Sequence, residues 1–178
     1  VVSGTNDVEI QLLVNAINGT LGNYGSVIDT ANTYNLKSGN DEALATLAND
    51  LKAGAYKGII LVGSNPVYNT PYSEIFKEAI KKAELSVSTA DRPDESAQFS
   101  QYVAPDSHYL ESWGDVAITR SNYSIMQPTI RPLFNTKQFQ EALLTWTDNT
   151  VAYYDFLKSF SVASLGGKSW NQAVHDGF

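Results

Sequence analysis

Apolar positions along the chain follow two patterns, a stripe of period near 3.6 and short unbroken runs. From Val8 onward, apolar residues fall at 10, 13, 14, 17 and 21, the pattern of a helix with one buried face. Asn6 or Asp7 is placed to cap that helix, and Gly22 to end it in the left-handed conformation. The stripe returns at 44, 47, 48 and 51 in a second helix, capped by Asp41 and closed by Gly54. A third helix is predicted from about Tyr72 to Ala83, with Ile75, Phe76, Ala79 and Ile80 facing inward. Between the second and third lies Ile59 to Val62, a run of branched apolar residues bounded by Gly58 and Gly63. Such a run between turn residues reads as a strand buried on both faces, the kind found in parallel sheets.

Leu85–Ser88 and Gln101–Ala104 read as two further short strands, with a helical turn opened by Asp94-Glu95 between them. Val1-Val2 reads as another short strand, and residues 30–40 as a polar loop. The repeating order of strand and helix predicts an α/β fold, a Rossmann-like, mostly parallel sheet with helices on both faces. Residues 106–135 keep neither rhythm and carry too many large apolar groups to stay solvated, so an extended, wrapped segment is expected there. Asn135 or Thr136 is placed to cap a helix through Leu144, another spans roughly 151–160, and the tail is a glycine-marked loop with a short amphipathic piece. The expected organisation is one α/β domain over 1–178, with sheet and helices in 1–105, the extended segment in 106–135 and a helical part in 136–178.

The stretch Gly58 to Pro71, GIILVGSNPVYNTP, has the strand–loop–helix order of a βα unit. Ligands of open α/β folds sit just past the carboxyl ends of the strands, which is where Gly63 to Pro71 falls. Gly63, Asn65 and Pro66 also suffice simply to make the turn. No G-x-G-x-x-G, phosphate loop or G-x-S-x-G elbow occurs anywhere in the chain.

Composition narrows the chemistry. A hydrophobic content of 43% suits an ordinary globular domain. A net charge of -7 with no basic stripe speaks against a nucleic-acid partner. No apolar run approaches the length of a membrane span, so no direct membrane insertion is expected. The chain opens on Val1-Val2 without a basic-plus-apolar leader, as a piece of a longer protein would. The absence of cysteine removes disulfides, thiolate catalysis, and iron–sulfur or zinc–thiolate ligation within these residues. His108 lies near Asp106, Glu111 and Asp115 in sequence, but no histidine pair has metal-ligand spacing, and no metal site is expected. His175 sits beside Asp176 in the tail. Asp94-Glu95 reads as negative charge at a helix start, and Trp113, Trp146 and Trp170 as core or interface anchors. No catalytic constellation emerges.

Four stretches in order carry a resemblance. VNAINGTLGNYG (14–25) and IILVGSNPVYNTP (59–71) resemble the helix-plus-glycine segment and the Asn-Pro loop of molybdopterin oxidoreductases. HYLESWGD (108–115) with its Glu-x-x-Gly, and YSIMQPTIRPLF (123–134), resemble a later segment of the same enzymes. Together with SVSTADRPDES and the SWNQAVHDGF tail, the wording is most similar to the large iron–sulfur subunit of bacterial alternative complex III, a quinol:electron-acceptor oxidoreductase. The resemblance implies a degenerate, cofactor-free molybdopterin-oxidoreductase-like domain with no catalytic residue of its own. Iron–sulfur clusters would then lie elsewhere in the parent subunit. The partners implied are the remainder of that subunit and the other subunits of a respiratory membrane complex, on the periplasmic face of the cytoplasmic membrane. Under the alternative, an active molybdopterin oxidoreductase, the domain would bind the nucleotide end of molybdopterin guanine dinucleotide. The positions implied for that cofactor contact are Gly63, Ser64, Asn65 and Pro66, Asp91 and Arg92 after the next strand, and His108 and Glu111 beyond the third. Asp115 departs from the threonine common in the active enzymes, and a carboxylate there would repel a cofactor phosphate.

Overall fold

The structure, a computed structural model, describes residues 1–34 and 39–177; the predicted loop at 30–40 thus falls partly outside the described residues. Among these, the chain divides into two compact units, residues 1–34 with 116–124, and residues 39–115 with 125–177.

In the first unit, α1 (Val8–Thr20) begins where the sequence predicts, with the Asp7 carboxylate accepting from the Ile10 amide at 3.0 Å. Gly22 follows it at φ +64°, the terminator expected. Its stripe is not a fully buried face: Ile10, Leu13 and Leu21 are exposed, Val14 and Ile17 are half-buried, and the buried residue of the helix is Asn18. The Asn18 amide donates to the Val1 carbonyl at 2.8 Å, and its oxygen accepts from Asn23 Nδ2 at 2.9 Å. Val1-Val2 is therefore tied to a helix side chain and forms no strand, contrary to the sequence reading. Within the same unit Tyr34 bridges Thr119, and Asn32 Oδ1 accepts from Ser121 Oγ at 2.7 Å.

The second unit holds the α/β architecture. After α2 (Asp41–Ala53) come β1 (Gly58–Leu61), α3 (Pro66–Asn69), α4 (Ser73–Lys82), β2 (Leu85–Ser88) and β3 (Tyr102–Val103). The three strands form one sheet in the order β1-β2-β3, all parallel, with Ile59 beside Ser86 and Val87 beside Tyr102. The fold is α/β, a small parallel sheet flanked by helices, as the alternation of runs and stripes predicts. The core includes Ala48 and Leu51 of α2, Leu61 of β1, Phe76 and Ile80 of α4, and Val87 of β2.

Two local readings need correction here. Asn40, not Asp41, caps α2, its side chain accepting from the Ala43 amide at 2.9 Å; Asp41 is the first helical residue, where its charge still suits the helix dipole. And β1 is not buried on both faces. It lies at the edge of the sheet, so Leu61 is covered while its neighbour Ile60 is 44% exposed.

Residues 106–135 are not simply extended. They contain the hairpin of β4 (Gly114–Thr119) and β5 (Asn122–Met126), joined through Arg120-Ser121. The later helix, α5 (Phe139–Trp146), starts after both predicted caps. Its first amide, that of Phe139, is satisfied from a distance by Asp106 Oδ1 at 2.9 Å, so no local side-chain cap is required. Then follow α6 (Tyr153–Ser161) and α7 (Trp170–Asp176), the latter capped by Ser169. Trp113, Tyr154 and Trp170 join these parts through edge and tilted ring contacts, with Trp170 Nε1 donating to the Tyr154 hydroxyl at 3.1 Å. No described helix is long and apolar enough to cross a membrane.

Candidate functional site

At the carboxyl ends of β1 and β2 the loops 63–65, 89–94 and 106–109 surround a cleft of about 480 Å³. Gly63, at φ +55°, turns the chain sharply out of β1, and its amide donates to Thr89 Oγ1 at 3.4 Å, tying the β1 and β2 ends together. Asn65 fixes the next step. Its Oδ1 accepts from both the amide (3.1 Å) and the hydroxyl (2.7 Å) of Ser96, and its Nδ2 donates to Glu95 Oε2 at 2.7 Å. That hydrogen bond holds the Glu95 carboxyl below its ordinary range. Ser96 is fully buried, and its hydroxyl oxygen also accepts from the Val67 amide at 3.0 Å.

These bonds occupy the amides that α3 would offer a phosphate. An anion at a loop-to-helix junction is held by free backbone amides. Here Pro66 opens α3 and has no amide hydrogen, the Val67 amide is taken by Ser96, and those of Tyr68 and Asn69 donate to the Asn65 carbonyl. The cleft walls are also acidic, since Asp91, Asp94 and Asp106 all line them. Both Asp91 oxygens accept from Arg92, at 2.9 and 2.8 Å, and this lowers the Asp91 carboxyl below its ordinary value. Asp94 accepts from the Ala97 amide at 2.7 Å and Asp106 from Phe139. A dinucleotide diphosphate brought here meets three carboxylates in the lining, one of them paired with Arg92.

Of the eight positions implied by the resemblance, Gly63, Ser64, Asn65, Asp91 and His108 line the cleft. Pro66 is buried at the start of α3, and Arg92 points its charge onto Asp91 outside the lining. Glu111 is occupied structurally, with one oxygen accepting from the His108 amide at 3.1 Å and the other from Leu133 at 3.0 Å. His108 Nδ1 in turn accepts from the Leu110 amide, completing a reciprocal cap of the short turn Tyr109–Glu111. Asp115 does not reach the cleft. It borders a groove between α5 and α6, beside Tyr153, whose hydroxyl it helps burial to push above the usual range.

Asn69 lies within the Gly63 to Pro71 stretch expected to meet a ligand, while sequence reasoning did not single out Thr89, Ala90, Ser107 and Tyr109 of the lining. Their signal was only position, in the loops that follow β2 and β3. Volume alone does not select this cleft: a depression of about 590 Å³ lies between α5 and α6, remote from the strand ends where an α/β sheet receives ligands. Among the described residues no group of three or more histidine and carboxylate side chains is arranged to hold a metal ion.

Over 97 residues, 52% of its length, the chain is 34% identical to the menaquinone reductase, molybdopterin-binding-like subunit of Nitratidesulfovibrio vulgaris (strain Hildenborough). This supports a molybdopterin-oxidoreductase-like region. It does not single out alternative complex III. The match takes in 14% of that protein's length, so the chain spans a small part of the relative. No family model matches the chain.

Proposed function

We propose that this chain is a structural, cofactor-free molybdopterin-oxidoreductase-like domain of an electron-transfer subunit in a quinone-linked respiratory membrane complex. The likeness to a subunit of a menaquinone reductase supports the setting. The observation that supports the cofactor-free reading is the strand-end cleft, which Asp91, Asp94 and Asp106 line. The residues present do not fit molybdopterin guanine dinucleotide at its charged end, and no reaction step is assigned to them. In the finer form of this proposal the parent is the iron–sulfur subunit of alternative complex III, lying on the periplasmic face and oxidising quinol. The remainder of its own polypeptide would bind the clusters.

The alternative, a working nucleotide-end domain, draws on one feature: a carboxylate after the second strand, Asp91, is the group that accepts a ribose hydroxyl in many nucleotide-binding sheets. Against it, both oxygens of Asp91 already accept from Arg92. Thermal unfolding with and without millimolar GDP separates the two. Ligand at about a hundred times its dissociation constant adds about 2.7 kcal/mol, several degrees for a protein of this size. We expect a melting temperature unchanged within one or two degrees; a rise of several degrees that Asp91→Ala abolishes would establish the working site instead.

A further inference from the structure

The groove between α5 and α6 lies outside the strand-end cleft and has a chemistry of its own. It encloses about 340 Å³; its apolar walls are Leu143, Leu144, Tyr153, Phe156, Leu157 and Phe160, with Gln140 and Thr147 beside them. Phe156 and Phe160 stand one helical turn apart with rings stacked at 6.1 Å, and Phe160 is 64% exposed. Water-facing aromatic pairs beside an apolar channel mark surfaces that another chain covers. The border of the channel is acidic. Asp115 lies at one wall, and Glu141 and Asp148 line the depression that continues past the shared residues Leu144 and Tyr153. Lys137, also at that depression, directs its ammonium to Thr145 Oγ1 at 2.9 Å, and Lys158 lies over the Tyr154 ring.

We propose that this groove docks one amphipathic helix of a partner polypeptide, with an apolar stripe flanked by lysine or arginine. Two neighbouring helices with an apolar seam between them offer the groove that a helix stripe enters at i, i+3, i+4 and i+7. The acidic border selects the sign of the flanks. The same border disfavours an anionic lipid surface, which would repel Asp115, Glu141 and Asp148. A second copy of this chain is also disfavoured, since each copy has a net charge of -7 and would bring further negative charge. The inference uses none of the cofactor argument and stands or falls separately from it.

The test uses the full chain and two designed 18-residue helices with identical leucine stripes, one flanked by lysine and the other by glutamate, followed by fluorescence anisotropy. The lysine helix is expected to bind at least tenfold tighter than the glutamate helix. Phe160→Ser, at an exposed position, should weaken it tenfold or more without lowering the melting temperature. Asp148→Asn should weaken it several-fold, and high salt should do the same. Equal binding of both helices, no binding of either at millimolar concentration, or binding indifferent to Phe160→Ser would each overturn the proposal. So would light scattering that shows the chain dimerising through this groove with loss of the dimer in Phe160→Ser.

Discussion

Asn65 shows how much one side chain of an unremarkable loop decides. A glycine-serine-asparagine-proline turn is legible in the sequence, yet nothing local says that the asparagine reaches thirty residues along the chain. Its three bonds to Glu95 and Ser96 pin the β1 loop to the β2 loop and so shape the cleft. Removing the acceptor leaves the Ser96 amide and hydroxyl, in a residue with no exposed surface, without their partner. Asn65→Ala is therefore expected to cost about 1–3 kcal/mol, read as a lower denaturant midpoint at unchanged slope. Because the domain is proposed to be non-catalytic, no activity should disappear with it; a turnover that Asn65→Ala abolishes would contradict the proposed function. Asp148 offers the opposite sign. Among the described residues it is the non-glycine residue at positive φ (54°), just past α5, and the amides around it close the end of the helix onto Leu144 and Thr145. Asp148→Gly relieves the left-handed strain and should stabilise by about 0.5–1 kcal/mol, provided the helix end stays closed.

At the scale of elements, α7 is held at its last turn by Asp176, which accepts from Lys168 at 3.3 Å and from Gln172 at 2.7 Å and meets His175 at 3.1 Å. The His175 contact first, then Lys168 and Gln172, lower the Asp176 carboxyl below its ordinary value of 3.8. A carboxyl depressed in the folded state adds stability that is fully present above its unfolded value and fades as pH falls through the folded one. Wild type should therefore melt above Asp176→Asn at neutral pH, and the gap should close below about pH 4. A gap that persists unchanged at pH 2–3 would remove the carboxylate from the account. Elements with strong periodicity and a nearby glycine were legible in sequence: α1, α2, α4 and the three parallel strands appear within a few residues of their expected places. What escaped depended on distant partners. The hairpin of β4 and β5 is a sequence of mixed polarity whose pairing, not its pattern, makes it a sheet. The start of α5 was misplaced because Asp106, more than thirty residues earlier, satisfies its first amide. The stripe of α1 reads as buried in the sequence because periodicity reports an apolar face, not what covers it.

For the molecule as a whole, that last gap is the informative one. Five of the eight positions singled out in the sequence line the strand-end cleft, whereas the apolar stripes along the chain do not say which of their groups stay exposed. The stretch read as too apolar to stay solvated does expose large groups, with Leu133 72% and Phe134 79% accessible at the end of the TIRPLF run. The charge of -7 keeps such a surface soluble by self-repulsion without making it any less apolar. Side chains this exposed add little to folding, so Leu133→Ser with Phe134→Ser should change stability by no more than about 0.5 kcal/mol per site. The same pair should matter for binding. A hydrophobic dye such as anilinonaphthalene sulfonate is expected to fluoresce with the native chain, at temperatures well below melting, and the double variant should lose a substantial part of that signal. A dark native state would mean that these residues are covered in solution. A bright signal unaffected by the double variant would move the sticky surface elsewhere, with the α5–α6 groove next in line and Phe160→Ser as the variant that decides it.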